Sequence, residues 1–152
     1  MQFSKATKRQ AHGRIALFGP SGAGKTFTAL RVAKGLGGRI ALIDTERGSA
    51  SKYADRFDFD VLELPKFTLD IYQQAMEAAA KAGYDVLIID SLSHGWQELI
   101  EEVDRLAKAK YRGNTWSAWS EGTPKQRRFI EALLSYPGHV IATMRKIGRA
   151  HV

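Results

Sequence analysis

One glycine-rich run limits what this chain can fold into more than any other part of the sequence. It matches the pattern G-x-x-x-x-G-K-[ST] and consists of Gly19, Pro20, Ser21, Gly22, Ala23, Gly24, Lys25 and Thr26. An apolar segment precedes it at residues 14–18, and apolar residues at helical spacing follow over residues 26–36. The glycines let backbone N–H groups turn inward at the start of a helix, where they form a cradle for phosphate. The run predicts a phosphate-binding turn between a strand and a helix; the alternative is a glycine-rich turn without a ligand.

Apolar strands and amphipathic helices alternate along the rest of the chain. Strands are predicted over residues 14–18, 39–43, 59–64, 86–90 and 139–144. Helices are predicted over residues 26–36 and 68–82, and apolar residues from Trp96 to Leu106 mark a third. Residues 111–122 are predicted to form a loop, after which Thr123 caps a last helix with Pro124 at its first position. This alternation predicts an α/β fold with a mostly parallel sheet and helices on both faces.

Two side chains of the glycine-rich run, and one acid beyond it, offer the chemistry that a nucleotide site needs. Lys25 can reach the β- and γ-phosphates, and the Thr26 hydroxyl can hold Mg²⁺. Asp90 ends a continuous apolar strand, where an acid is placed to bind Mg²⁺, often through water. Its alternative role is the N-cap of a helix that begins at Leu92. ATP and Mg²⁺ are therefore the expected ligands.

A second pair of acids follows the strand predicted at residues 39–43. Asp44 and Glu46 lie at the carboxyl end of this strand, the edge where ligands bind in open α/β sheets. Because side chains alternate along an extended chain, both would face one side if the extension persists. Only one of them is needed for catalysis, and either can instead be a turn residue.

The composition excludes several other kinds of site. The chain of 152 residues has no cysteine, which rules out disulfides and thiolate metal ligands, and its four histidines lack metal-ligand spacing. No apolar run approaches the ~18 residues of a membrane span, and residues 1–14 contain no secretory signal. We expect a cytoplasmic protein with no membrane partner.

Basic residues are concentrated in two segments of a chain whose formal charge is +7. Residues 1–14 hold four basic residues and no acid, and residues 105–128 hold seven against Glu121 alone. The second segment also contains aromatic residues, which suits a single strand because bases stack on aromatic faces while phosphates meet cations. The alternative is a solvated helix face with the tryptophans packed on the core. The predicted contacts to single-stranded DNA are Lys108, Lys110, Arg112, Trp116, Trp119, Arg127 and Arg128.

Taken together, these motifs resemble the RecA-core ATPases, and among them the small phage-encoded recombination ATPases that act on single-stranded DNA. The resemblance is carried by residues 19–26, 41–46, 53–54, 88–91, 94–96 and 140–145. The first motif is shared by all P-loop proteins, whereas the combination is much more specific. The resemblance implies an ATP-hydrolysing P-loop NTPase with a RecA-like core that acts in phage recombination or annealing. It also implies a bacterial host's cytoplasm and a homo-oligomeric ring or filament for the full-length protein.

The same resemblance assigns roles to three residues. Glu46 would be the acid that orients or activates the attacking water, and Asp90 would bind the metal. Thr143 would be a γ-phosphate sensor at the end of the fifth strand. A glutamine is usual at this last position in the recombinases. Because this chain has threonine there, the resemblance does not imply that ATP hydrolysis is coupled to DNA binding in the way it is in that family.

The resemblance further implies that the family's sheet continues beyond the fifth strand. Residues 147–152 read Ile-Gly-Arg-Ala-His-Val, which the start of a widely used sequencing adapter encodes, and the next adapter codon is a stop. We therefore expect a basic arm at residues 1–14, an incomplete RecA-like core at residues 15–146 that lacks C-terminal strands, and a non-native tail at residues 147–152. The alternative for the tail is a genuine short basic end.

Two other functions stay open. One is a nucleotide-gated DNA-binding module with little turnover, which is distinguished by whether Glu46→Gln changes DNA binding as well as hydrolysis. The other is a small-molecule phosphotransferase. Against it, the sequence lacks an arginine-rich lid between the strand that ends at Asp90 and the last helix.

Overall fold

The fold alternates strands with helices along the whole described chain. A computed structural model describes residues 1–7 and 11–145. The strands are β1 (Arg14–Gly19), β2 (Ile40–Asp44), β3 (Asp60–Glu63), β4 (Val86–Asp90) and β5 (His139–Arg145). The helices are α1 (Lys25–Leu36), α2 (Leu69–Lys81), α3 (Ser93–Lys110) and α4 (Thr115–Ser135), with a short 3₁₀ helix, Ser49–Tyr53, between β2 and β3.

All five strands form one parallel sheet, as the sequence predicts, and their order in the sheet is β1-β5-β4-β2-β3. Parallel strands run in one direction, so their carboxyl ends meet at a single edge of the sheet. At that edge Asp44 is paired in register with Asp90, and Gly19 is paired with Arg145. The strand ends therefore bring residues from four distant parts of the sequence together.

Alternating side chains of the central strands build a hydrophobic core on each face of the sheet. On one face Leu42, Ile88 and Ile141 pack against α1. On the other face Ile43 and Ile89 belong to a larger cluster with residues of the three remaining helices. This two-sided burial explains why β2 and β4 read as continuous apolar runs, and it confirms helices on both faces.

The prediction of a loop over residues 111–122 was wrong, because α4 begins at Thr115. Its N-cap is Asn114, whose side-chain oxygen accepts a 3.2 Å hydrogen bond from the backbone N–H of Ser117. Thr123 is therefore not a cap, and Pro124 lies inside the helix. Pro124 is exposed, so water can reach the carbonyl that its missing N–H leaves without a helical partner. Packing of the small buried residue Gly122 against α3 outweighs the local signals.

The first strand begins at Arg14, the residue at which the sequence predicts it to begin. Arg14 belongs to β1, and its guanidinium donates to the carbonyls of Leu134, Tyr136 and Gly138. It therefore ties the first strand to the end of α4. Residues 147–152, the predicted non-native tail, lie outside the described residues. Within residues 1–7 and 11–145, no helix has the length and apolar character that crossing a membrane requires.

Candidate functional site

The glycine-rich run forms the turn between β1 and α1. Gly22 and Gly24 have φ angles of 80° and 88°, a left-handed conformation that other residues adopt only with strain. A Cβ atom built at either glycine meets nothing within 4 Å, and both glycines line a cavity. The free N–H groups at the start of α1 lie beside this cavity, at the positive end of the helix dipole. The turn has the geometry of an anion cradle.

Lys25 begins α1 and reaches back over the turn. Its ammonium group donates to the carbonyl of Gly19 at 2.9 Å and to that of Pro20 at 2.8 Å. A further bond, from the N–H of Ala23 to the Pro20 carbonyl at 3.2 Å, closes the turn itself. The cation is thereby held at the rim of the cradle, where it can neutralise phosphate charge.

Thr26 and Asp90 meet at the floor of the site. The Thr26 hydroxyl donates to Oδ2 of Asp90 at 2.7 Å, and the Thr143 hydroxyl donates to Oδ1 of the same carboxylate at 2.7 Å. Asp90 is therefore not the N-cap of α3, whose capping residue is Leu92 without a side-chain bond. Thr143 is completely buried and does not line the cavity. Its position corrects the expectation of direct nucleotide contact, because its hydroxyl reaches the site only through Asp90.

The two acids after β2 have separate surroundings. Asp44 is buried and accepts hydrogen bonds of 2.7 Å from the N–H groups of Glu46 and Gly48, which makes it a turn residue. The chain does not stay extended past Asp44, so the two side chains do not point to one side. Glu46 lines the cavity and accepts a 3.2 Å hydrogen bond from the Ser91 hydroxyl. Of these two acids, Glu46 is the one that lines the cavity beside the glycine-rich run.

Arg145 completes the site from the end of β5. Its guanidinium forms an ion pair with the Glu46 carboxylate, and its backbone N–H donates to the Ser93 hydroxyl at 2.8 Å. No role was predicted for this residue beyond its place in the segment 140–145. The signal that could have identified it is its position: a cation directly after a buried strand, at the edge where the other strand ends already carry polar residues.

A buried polar network supports the loop after β4. The Thr45 hydroxyl accepts from the N–H of Ser91 at 2.9 Å and lies 2.8 Å from Nδ1 of His94. Tyr72 donates its phenolic proton to the Ser91 carbonyl at 2.7 Å, and burial raises the pKa of Tyr72 to about 12. The phenol thus remains a donor throughout the neutral range. His94 stacks on Phe67, with 4.9 Å between ring centroids, and has a structural position.

These side chains surround one cavity of about 340 Å³. The glycine-rich run contributes Ser21, Gly22, Gly24, Lys25 and Thr26. The strand ends contribute Glu46, Asp90 and Arg145, and the 3₁₀ helix contributes Ser49, Lys52 and Tyr53. Gly19, Pro20 and Ala23 shape the turn from behind without lining this space. The cavity falls in the size range of small-molecule sites.

The oxygen atoms at the floor of the cavity fit a small divalent cation. Mg²⁺ prefers oxygen ligands and is usually held by one or two protein groups together with phosphates and water. The Thr26 hydroxyl and the Asp90 carboxylate supply such a pair. Among residues 1–7 and 11–145, no group of three or more histidine or acidic side chains could hold a metal ion. A cation held by this pair would take its other oxygen ligands from water or phosphate.

Six of the seven predicted DNA contacts lie on α3 and α4, and the seventh lies in the turn between these helices. Lys108 and Lys110 end α3, Arg112 follows in the turn, and the remaining four residues belong to α4. Trp116 is 88% exposed, but Trp119 is half-buried and stacks on Trp96 with 6.0 Å between ring centroids. Trp119 therefore matches the alternative of a packed tryptophan. All five cations are exposed, and one of them, Lys110, is also paired with Glu121 at 3.2 Å.

Comparison with known proteins finds similarity over most of the chain. A family model for the AAA domain matches residues 11–150. The chain is 34% identical over 89 residues to the RecA protein of Desulfotalea psychrophila, and 36% identical over 89 residues to that of Rhodospirillum centenum. Each alignment covers 53% of this chain and 25% of the relative. The aligned part thus spans about a quarter of the length of these curated relatives.

Proposed function

Because this chain belongs to the AAA domain family, we propose that its cavity binds Mg²⁺-ATP and that the protein hydrolyses the terminal phosphate. The fold is that of a P-loop NTPase with a RecA-like core. One observation carries the proposal: Lys25, Thr26, Glu46 and Asp90 all line a single cavity at the carboxyl edge of the sheet. Phosphoryl transfer needs groups that bind the phosphates, groups that hold the metal ion and a group that positions the attacking water, and this cavity offers a candidate for each.

The cradle would bind the phosphates. Backbone N–H groups around Gly22 and Gly24 would hold phosphate oxygens, and Lys25 would move its ammonium from the carbonyls of Gly19 and Pro20 to phosphate oxygens. A charge-assisted hydrogen bond to phosphate is stronger than one to a neutral carbonyl, which favours this exchange.

The floor of the cavity would hold the metal. Thr26 and Asp90 would be its protein ligands, directly or through water, and Thr143 would keep the Asp90 carboxylate oriented by occupying its second oxygen. Bound with the nucleotide, Mg²⁺ would neutralise charge on the β- and γ-phosphates. A fixed carboxylate loses little further freedom when a ligand binds, so the Thr143 hydrogen bond favours binding.

Glu46 would position the attacking water. Its side chain is 16% exposed and the Ser91 hydroxyl holds one of its oxygens, so the carboxylate is directed into the cavity. A group that orients water contributes mainly in the transition state, which separates its effect from nucleotide affinity.

Single-stranded DNA is the proposed partner. Exposed Trp116 and Arg127 lie eleven positions apart on α4, which puts them on the same side of the helix and about 16 Å apart along its axis. An exposed aromatic ring aligned with a cation suits single-stranded DNA, because a base can stack on the ring while a phosphate contacts the cation. The resemblance to recombination ATPases supports a role in phage recombination or annealing, a bacterial cytoplasmic setting, and a ring or filament. On this proposal residues 15–146 form the ATPase core.

Phosphate release by the purified chain with Mg²⁺-ATP, measured with and without single-stranded DNA, tests the proposal. We expect turnover that Glu46→Gln removes and that DNA changes. Nucleotide-dependent DNA binding without turnover would favour the nucleotide-gated module. Phosphate transfer to a nucleoside acceptor in place of water would favour the phosphotransferase.

A further inference from the structure

Arg145 stands between the phosphate cradle and the acid proposed to handle water. β5 pairs with β1 so that Arg145 lies opposite Gly19, the first residue of the glycine-rich run. From there its guanidinium extends into the cavity and pairs with Glu46. The backbone is fixed by the hydrogen bond from its N–H to Ser93, so the side chain is what can change position.

The cavity has three cations, and their partners differ. Lys25 is bonded to backbone carbonyls, and the Lys52 ammonium lies 5.2 Å from the centroid of the Tyr53 ring. Within residues 1–7 and 11–145, Arg145 is the cation of these three that forms an ion pair with an acid. Its side chain remains 44% exposed. Its guanidinium is accessible to a ligand while it neutralises the acid.

The pair has a chemical consequence for Glu46. A carboxylate that accepts hydrogen bonds from a guanidinium and from the Ser91 hydroxyl has fewer lone pairs left for water. The planar guanidinium also recognises phosphate oxygens, with the same paired N–H groups that it offers a carboxylate. A terminal phosphate carries more negative charge than one carboxylate and can therefore compete for Arg145.

We propose that Arg145 exchanges partners, from Glu46 in the nucleotide-free protein to the terminal phosphate of a bound nucleoside triphosphate. Glu46 is then released to hold water when a triphosphate is present. A diphosphate lacks the group that attracts Arg145, so the ion pair with Glu46 persists. This inference rests on the proposed function and adds to it a residue that distinguishes triphosphate from diphosphate.

Calorimetric titration of the full chain with Mg²⁺ and either ADP or a non-hydrolysable ATP analogue tests the exchange. Arg145→Ala should weaken triphosphate binding by about tenfold or more, as the loss of a hydrogen bond to a charged group implies, and leave ADP affinity within about twofold. Arg145→Lys should restore part of the loss. Arg31→Ala is the matched control, because it removes the same charge from an exposed position on α1 and should change neither affinity.

Glu46→Gln gives a second, independent readout. Removing the competing carboxylate charge should tighten triphosphate binding severalfold and leave ADP affinity unchanged. This variant tests the exchange even if the Arg145→Ala protein does not fold. Equal weakening of both nucleotides by Arg145→Ala, or an unchanged triphosphate affinity in both variants, would overturn the exchange. A wild-type chain that binds neither nucleotide contradicts the proposed function itself, which is a different outcome.

Discussion

The Thr26 hydroxyl donates a 2.7 Å hydrogen bond to the Asp90 carboxylate, although 64 positions separate the two residues in the chain. The start of α1 and the end of β4 thereby share one oxygen-rich corner. The opposite oxygen of the carboxylate is held by Thr143 from β5. Three neighbouring elements thus fix a single acid at the floor of the cavity.

Asp90→Asn should weaken the dependence of nucleotide binding on Mg²⁺, because an amide is a poorer ligand for a hard cation than a carboxylate. A magnesium titration of ATP binding measures this. Asp104→Asn, an exposed change of the same type on α3, is the control and should leave the titration as it is in the wild type. If Asp90→Asn also leaves it unchanged, Asp90 has a structural role and no metal role.

Lys25→Ala should remove most nucleotide affinity, since the ammonium at the rim of the cradle is placed to neutralise phosphate charge. Calorimetry with Mg²⁺-ATP checks this result. Lys34→Ala, near the other end of α1, removes the same charge and should bind normally. Undiminished binding by Lys25→Ala would exclude the glycine-rich run as the phosphate site.

Glu46→Gln and Asp44→Asn should have different effects, although the two acids are neighbours. Glu46→Gln should bind Mg²⁺-ATP at least as tightly as the wild type and lower turnover. Asp44→Asn should instead reduce the free energy of unfolding by about 1–3 kcal/mol, because an amide can accept only one of the two N–H bonds that Asp44 now accepts. Steady-state turnover and denaturant unfolding separate the two effects. The reverse result would mean that the roles of the acids are exchanged.

Trp116→Ala and Trp119→Ala should also have different effects. Trp116 is 88% exposed, so its loss should leave stability within about 0.5 kcal/mol and weaken single-stranded DNA binding by about 1–3 kcal/mol. Trp119→Ala should destabilise the fold by about 2 kcal/mol or more, because it loses packing against Trp96. Fluorescence anisotropy and thermal unfolding measure these changes.

Arg127→Ala separates charge from stacking at the same surface. It should lower the slope of log affinity against log salt by less than one, whereas Trp116→Ala should leave that slope nearly unchanged. A folded Trp116→Ala protein with wild-type DNA affinity would remove this residue from the DNA site.

Gly122→Ala tests the packing that makes α4 continuous. A Cβ at this position would lie 2.7 Å from Val103 and 2.9 Å from the Trp119 ring. We expect overpacking to cost about 1–3 kcal/mol and to exceed the gain of about 1 kcal/mol in helix propensity. Gly35→Ala in α1 is the control, because its Cβ meets nothing within 4 Å and it should stabilise by up to about 1 kcal/mol. A stabilised Gly122→Ala protein would contradict this packing.

Local sequence patterns were sufficient for the strands and for most of the helices. β4 is a short apolar run buried on both faces, and the turn before α1 is set by glycines whose backbone angles are local properties. α4 was not predictable in the same way. Its first turns contain weak helix formers and an internal proline, and they are helical because Ala118 and Gly122 are buried against α3.

The sequence by itself determined which chemical groups the carboxyl edge of the sheet would present, because strand ends and the glycine-rich turn follow from patterns within a few residues. Only the tertiary structure decided how those groups are used. Asp44 is directed into its own turn, Glu46 into the cavity, and Arg145 onto Glu46 across 99 positions of sequence. The direction of a side chain after a strand ends depends on the backbone angles of the following turn and on neighbours from other strands. Contacts between distant segments of the chain determine both these backbone angles and these neighbours, so neither can be predicted from a local sequence pattern.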